Sequence, residues 1–284
     1  MDDPSESAID TGNESGVTIY WFRNALRLHD NPSFFSACDK ANSDYLLPIY
    51  IIDPDYPFAQ SDNVRTGIIR ANFCLESISS LQRDTQKLNS RIIFLQGKAE
   101  IILPKICSQL KATKLMFEND PATPVKERDE KIVAAVKKET DDKIEVIQFD
   151  TYSLFGMNKY LSQCNNKIVP QTYTAFRKLF DRMGEAPKEV KHIVEIPPLP
   201  INYLEQIRVL LDSNKQEEYE IPSLKDLGYT NALEATQKYS GGENAALEAL
   251  DRMVLQREKW VIEFGKKKTS PTLKCEGTGL SPCK

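Results

Sequence analysis

The chain has 284 residues, 40% hydrophobic and 27% charged, a globular composition with enough length for one large domain or two. Its net charge of -4 supplies no global basic field, so any nucleic-acid contact has to come from a local patch. Six scattered cysteines with no CxxC pair, and only two histidines (His29 and His192), argue against a disulfide framework, a metal centre or a histidine-based triad. No apolar run approaches the roughly 20 residues that span a bilayer, so no membrane partner is expected. Residues 1–16 are acidic, lack Lys and Arg, and read as a disordered tail and not a signal peptide or presequence.

Val17 to Phe22 is a β-branched and aromatic run, the pattern of a buried strand. A polar turn follows, and Asn31-Pro32 supplies an N-cap and a first helical residue that needs no N–H. The turn holds no glycine, so it is not a phosphate-cradling loop; Arg23 and Arg27 carry its charge. Tyr45 to Ile52 is the second strand, closed by Asp53-Pro54. A long helix is expected from Asp62 to Leu88, with Val64, Ile68, Ala71, Leu75, Ile78 and Leu81 on one face. Arg91 to Leu95 is the third strand. The next helix carries Ile102, Ile106 and Leu110, and Pro104 is expected to set its start near Leu103 or to kink it. Lys114 to Phe117 is the fourth strand. Thr123-Pro124 caps a helix with Val125, Ile132 and Val136 inward, and Ile144 to Phe149 is the fifth strand.

Strands alternating with helices imply an α/β fold, a five-stranded parallel Rossmann-like sheet covered on both faces. Such sheets take ligands at the carboxyl ends of their strands, where Arg23, Asp53, Glu118 and Asp150 fall. Each has two readings, a strand-end cap or a wall of a crevice for a small aromatic or anionic ligand.

After Asp150 the strand pattern stops. Residues 151–222 read as a long connector that wraps the first domain, with helices at Thr172 to Met183 and Tyr203 to Leu211. Residues 223–284 read as the start of a helical domain: a short helix ending at Gly228, then a longer one opened by Gly241-Gly242-Glu243. Leu247, Leu250, Val254, Val261 and Phe264 line the second helix. It is expected to be poorly protected for want of a packing partner, and deleting residues 223–284 is expected to cost the α/β domain little.

Seven segments in order carry a resemblance: WFRNALRLHDNP (21–32), PIYIIDPDY (48–56), FEND with KERDEKI (117–132), VPQTYTAFRKLF (169–180), IPSLKDLGY (221–229), GGENAALEALD (241–251) and TGLSP (278–282). Together they resemble the photolyase/cryptochrome family, closest to animal cryptochromes and 6-4 photolyases. The resemblance implies a blue-light flavoprotein, acting either in light-driven repair of pyrimidine lesions in DNA or in light signalling and circadian regulation. It implies FAD held by a helical domain, a folate or deazaflavin antenna on the α/β domain, and damaged DNA or clock and light-signalling proteins as partners, in the nucleus or cytoplasm. Thr278, Gly279, Leu280 and Ser281 are then the FAD-phosphate contacts, and Arg23, Asp53 and Glu118 the candidate antenna crevice. In the family most of the helical domain follows TGLSP. Here only Cys283 and Lys284 do, so a truncated chain without photocatalysis of its own is expected. The alternative is a non-enzymatic interaction protein built on the isolated α/β domain.

Overall fold

A computed structural model describes residues 16–54, 60–61, 64–151, 153–164, 168–211, 220–229 and 239–255. The sheet strands are β1 (Val17–Phe22), β2 (Tyr45–Ile52), β5 (Ile93–Gln96), β6 (Lys114–Glu118) and β7 (Glu145–Phe149). A two-residue antiparallel pair, β3 (Gln60–Ser61) and β4 (Val64–Arg65), stands apart from them. The helices are α1 (Pro32–Ala37), α2 (Ile68–Lys87), α3 (Ala99–Gln109), α4 (Thr123–Glu139), α5 (Met157–Ser162), α6 (Tyr173–Asp181), α7 (Tyr203–Leu211) and α8 (Glu243–Leu250), the last running into a π-helical segment, Asp251–Leu255.

The five-stranded sheet is parallel throughout, in the order β5-β2-β1-β6-β7. The chain starts at the central strand, walks outward through β2 to β5, then crosses back to lay β6 beside β1. This is the doubly wound order, and its switch point lies between β1 and β6. Alternation along β1 sorts the core: Ile19 and Trp21 enter one cluster, Tyr20 and Phe22 the other. The first cluster packs against α3, α4 and Ile207 of α7; the second packs against α1 and α2. With both faces covered, every strand but the edge strand β7 is nearly continuous hydrophobic sequence.

Four expectations need correction. The long helix begins at Ile68, because Val64 and Arg65 pair with β3 and Gly67 is the N-cap. The helix containing Pro104 begins at Ala99, whose N–H donates to the Asp53 carboxylate; that contact sets the start five residues before the proline. Ala122, not Thr123, is the N-cap of α4. Residues 224–228 make a turn, not a helix, and Gly228 at φ +78° ends it.

Residues of the expected connector contribute to the core of the α/β body. The Leu46 N–H donates to the Pro198 carbonyl, and Ile196 is buried with the β1–β2 face. Leu227 and Tyr229 are buried there too, and the Tyr229 hydroxyl donates to the Thr66 carbonyl at 2.6 Å. Burial of Leu227 and Tyr229 argues against the expectation that deleting residues 223–284 costs the α/β domain little. The expected tail, 1–16, lies outside the described residues except for Gly16, as do Val261, Phe264 and the Thr278 to Ser281 loop.

Candidate functional site

The switch point is built from the ends of β1, β2 and β6 and the first turns of α4. Arg23 directly follows β1, and its side chain turns back over the sheet into the interior. Its guanidinium carbon lies 4.7 Å from the Trp21 ring centre and 5.5 Å from that of Phe117. Trp21 and Phe117 are register partners across β1 and β6, so their rings form one aromatic floor. Stacking a cation on such a floor is favourable, more so when water is excluded.

Arg23 Nη1 donates to the Asp129 carboxylate at 2.6 Å and to the Glu118 carbonyl at 2.9 Å. The ion pair is almost wholly buried, with 2% and 4% of the two side chains exposed. Arg128 Nη2 donates to the same carboxylate at 3.4 Å, and Arg128 Nη1 lies 3.9 Å from Asp53 Oδ2. Burial pushes the Asp129 carboxyl above the ordinary carboxylate value, while the Arg23 guanidinium, and then Arg128, draw it back down. Two cations and two carboxylates thus alternate through the cluster: Arg23, Asp129, Arg128, Asp53. Arg23 Nε and Nη2 are buried and have no hydrogen-bond partner among the described residues. They are donors held ready for an acceptor.

The three crevice residues read from the sequence do come together, but two of them serve the backbone. Asp53 accepts from Ala99 N at 3.1 Å and Glu118 from Ala25 N at 3.0 Å. Asp120 accepts from Asn24 Nδ2 at 3.0 Å and from Ala122 N. Asp150 follows the edge strand β7 and packs beside Gly156. Sequence reading missed Asp129 and Arg128. Asp129 had a legible signal: it sits on the Val125, Ile132, Val136 stripe of α4, where a lone carboxylate demands a cation. Of the crevice residues read from the sequence, Arg23 leaves two buried donors without a partner among the described residues. Those donors lie over the aromatic floor of Trp21 and Phe117.

Among the described residues, no cluster of three or more His, Cys, Asp or Glu side chains could hold a metal ion, and no helix is long and apolar enough to cross a membrane.

The family model described as DNA photolyase matches residues 18–194. The chain belongs to the photolyase/cryptochrome family. Its relatives include Cryptochrome-2 of Gallus gallus, 34% identical over 93% of this chain and 43% of that protein. Cryptochrome-1 of Macaca fascicularis is likewise 34% identical over 93% of this chain and 42% of its own length. The chain therefore spans less than half the length of the relatives it matches. Among solved structures, the Synechocystis sp. PCC6803 cryptochrome superposes with a TM-score of 0.70 at 21% identity, covering 89% of this chain and 49% of that one. An archaeal photolyase from Sulfolobus tokodaii, described with two FAD molecules, superposes with a TM-score of 0.57 at 21% identity, covering 82% of this chain and 46% of that one. At these identities the two superpositions speak for the fold.

Proposed function

We propose that this chain is the α/β portion and the opening of the helical portion of a blue-light flavoprotein. The observation that carries the reading is the similarity to cryptochromes across 93% of the chain. FAD, when bound in such a protein, supplies light absorption and one-electron chemistry. In this reading Thr278 and Ser281 offer hydroxyl donors, and Gly279 and Leu280 backbone donors, to the FAD phosphates. Arg23 anchors the anionic end of a folate or deazaflavin antenna over Trp21 and Phe117.

High flavin affinity requires most of the ligand to be buried, so the flavin content of the purified chain reads how much of the cofactor these residues hold. Light-driven repair of pyrimidine lesions in DNA, or regulation through clock and light-signalling proteins in the nucleus or cytoplasm, belongs to a full-length protein. An absorption spectrum of the purified chain tests this. A protein without visible flavin bands is expected, and stoichiometric bound flavin that bleaches under blue light overturns the separation.

The second reading is a non-enzymatic interaction protein. Its supporting observation is a set of exposed apolar side chains, Leu247, Leu250 and Leu255 on one segment and Ile168 and Tyr173 on another. Unlike the first reading, it requires a stable, colourless complex with another protein.

A further inference from the structure

The β1–α1 turn, residues 23–31, is gripped from two directions. Its first half is held by the candidate site: Glu118 accepts from Ala25 N at 3.0 Å, and Asp120 from Asn24 Nδ2 at 3.0 Å. Its second half is held by α8. The Glu243 carboxylate accepts from Leu28 N at 2.7 Å and from His29 N at 2.8 Å, one oxygen to each. Both bonds are charge-assisted and join residues more than 200 positions apart.

The residues before Glu243 make this grip possible. Gly241 N donates to Glu76 Oε2 at 2.7 Å. A Cβ on Gly241 would collide with the Phe73 carbonyl oxygen, and one on Gly242, which sits at φ +107°, would collide with Ser80 Cβ. Two glycines therefore let the backbone lie directly on α2. Asn244 Nδ2 then reaches both carboxylate oxygens of Asp84, at 3.2 and 3.0 Å. No residue of α8 is buried, and Leu247 and Leu250 are each 42% exposed. Its N-terminal turn carries its polar contacts with α2 and with the β1–α1 turn.

We propose that Gly241-Gly242-Glu243 is a latch that couples α8 to the candidate site through the β1–α1 turn. Because Glu118 and Glu243 hold the same turn, a change at either carboxylate shifts the other's hold. A ligand that draws Arg23 and the β6 end together tightens the turn, and so α8; release of α8 loosens the turn beneath Arg23.

The chain's only two histidines, His29 and His192, report on the latch. Their rings meet edge-on with centres 5.1 Å apart, in a cleft of about 160 Å³ that Glu243 and Asn244 also line. The experiment is NMR on the full chain, with Glu243→Ala compared against Glu248→Ala on the same helix. In Glu243→Ala, the Leu28 and His29 amides and the α8 amides of Leu247 to Leu250 are expected to exchange about tenfold faster or more, the effect of losing charge-assisted bonds. The contact between the two histidine rings is lost, and the Asn24 and Ala25 amide signals shift. Glu248→Ala leaves all of these unchanged. Unaltered α8 exchange in Glu243→Ala overturns the latch, and unaltered Asn24 and Ala25 signals overturn the coupling. Protected β1 amides verify folding. If Glu243→Ala loses them, Glu243→Gln, which keeps side-chain volume and one acceptor, is read against the same outcomes.

Discussion

Arg23 and Asp129 are 106 residues apart in sequence and 2.6 Å apart in the fold, an ion pair sealed over the Trp21 and Phe117 rings. It ties the end of β1 to the first turns of α4 across the switch point. Its removal tests whether the candidate site is also structural. Asp129→Ala leaves a buried guanidinium uncompensated, which costs about 3–5 kcal/mol. Replacing both partners with apolar residues of similar length, Arg23→Met with Asp129→Leu, is expected to recover more than half of that loss. Urea unfolding of the two variants and the parent reads the difference.

Asn31 is the hub of a second buried network. Its Oδ1 accepts from Phe34 N and from the Ser33 hydroxyl, its Nδ2 donates to the Arg27 carbonyl, and the Tyr20 phenol lies 2.6 Å from Ser33 Oγ. Asn31→Ala removes the cap of α1 and leaves buried donors unmatched, an expected loss of about 1–2 kcal/mol. Burial holds the Tyr20 phenol well above its ordinary value. Raising the pH through the usual tyrosine range is therefore expected to leave the Tyr20 absorbance unchanged until the fold opens. Ultraviolet difference titration of the parent against Tyr20→Phe checks this.

Leu227 is the test of how far the α/β body extends. It is 7% exposed and packed in the core cluster of Tyr20, Phe22 and α2. Leu227→Ala is expected to cost about 2–4 kcal/mol, the range for a leucine truncated in a core. Truncation after residue 222 costs more, because Tyr229 and its bond to Thr66 go too. Thermal unfolding of both variants measures it.

The thiols should divide by burial. Cys107 is fully buried, and burial pushes its thiol and that of Cys38 up to about 12. Since the thiolate is the reactive form, both are expected to resist alkylation at neutral pH in the native protein and to react once it is unfolded. Peptide mapping after timed labelling resolves each cysteine.

Much of the fold was legible because its causes are local. The aromatic and β-branched run of β1, the Asn31-Pro32 cap and the Ala71, Leu75, Ile78, Leu81 stripe each express a backbone period or a capping bond within a few residues. Where the expected boundaries failed, a distant group had intervened. The Asp53 carboxylate sets the start of α3, and pairing with β3 takes Val64 and Arg65 from the long helix.

The site divides in the same way. Chain order and the doubly wound pattern place Arg23 and Glu118 at neighbouring strand ends. Which acceptor takes the guanidinium depends on α4 lying over the Trp21–Phe117 floor, a packing event with no local signature beyond one carboxylate on an apolar stripe. The Glu243 grip on Leu28 and His29 likewise exists only once two glycines bring distant backbone onto α2. Hydrogen-bond geometry falls off within an ångström, so pairings of this kind belong to the folded coordinates and not to the order of residues.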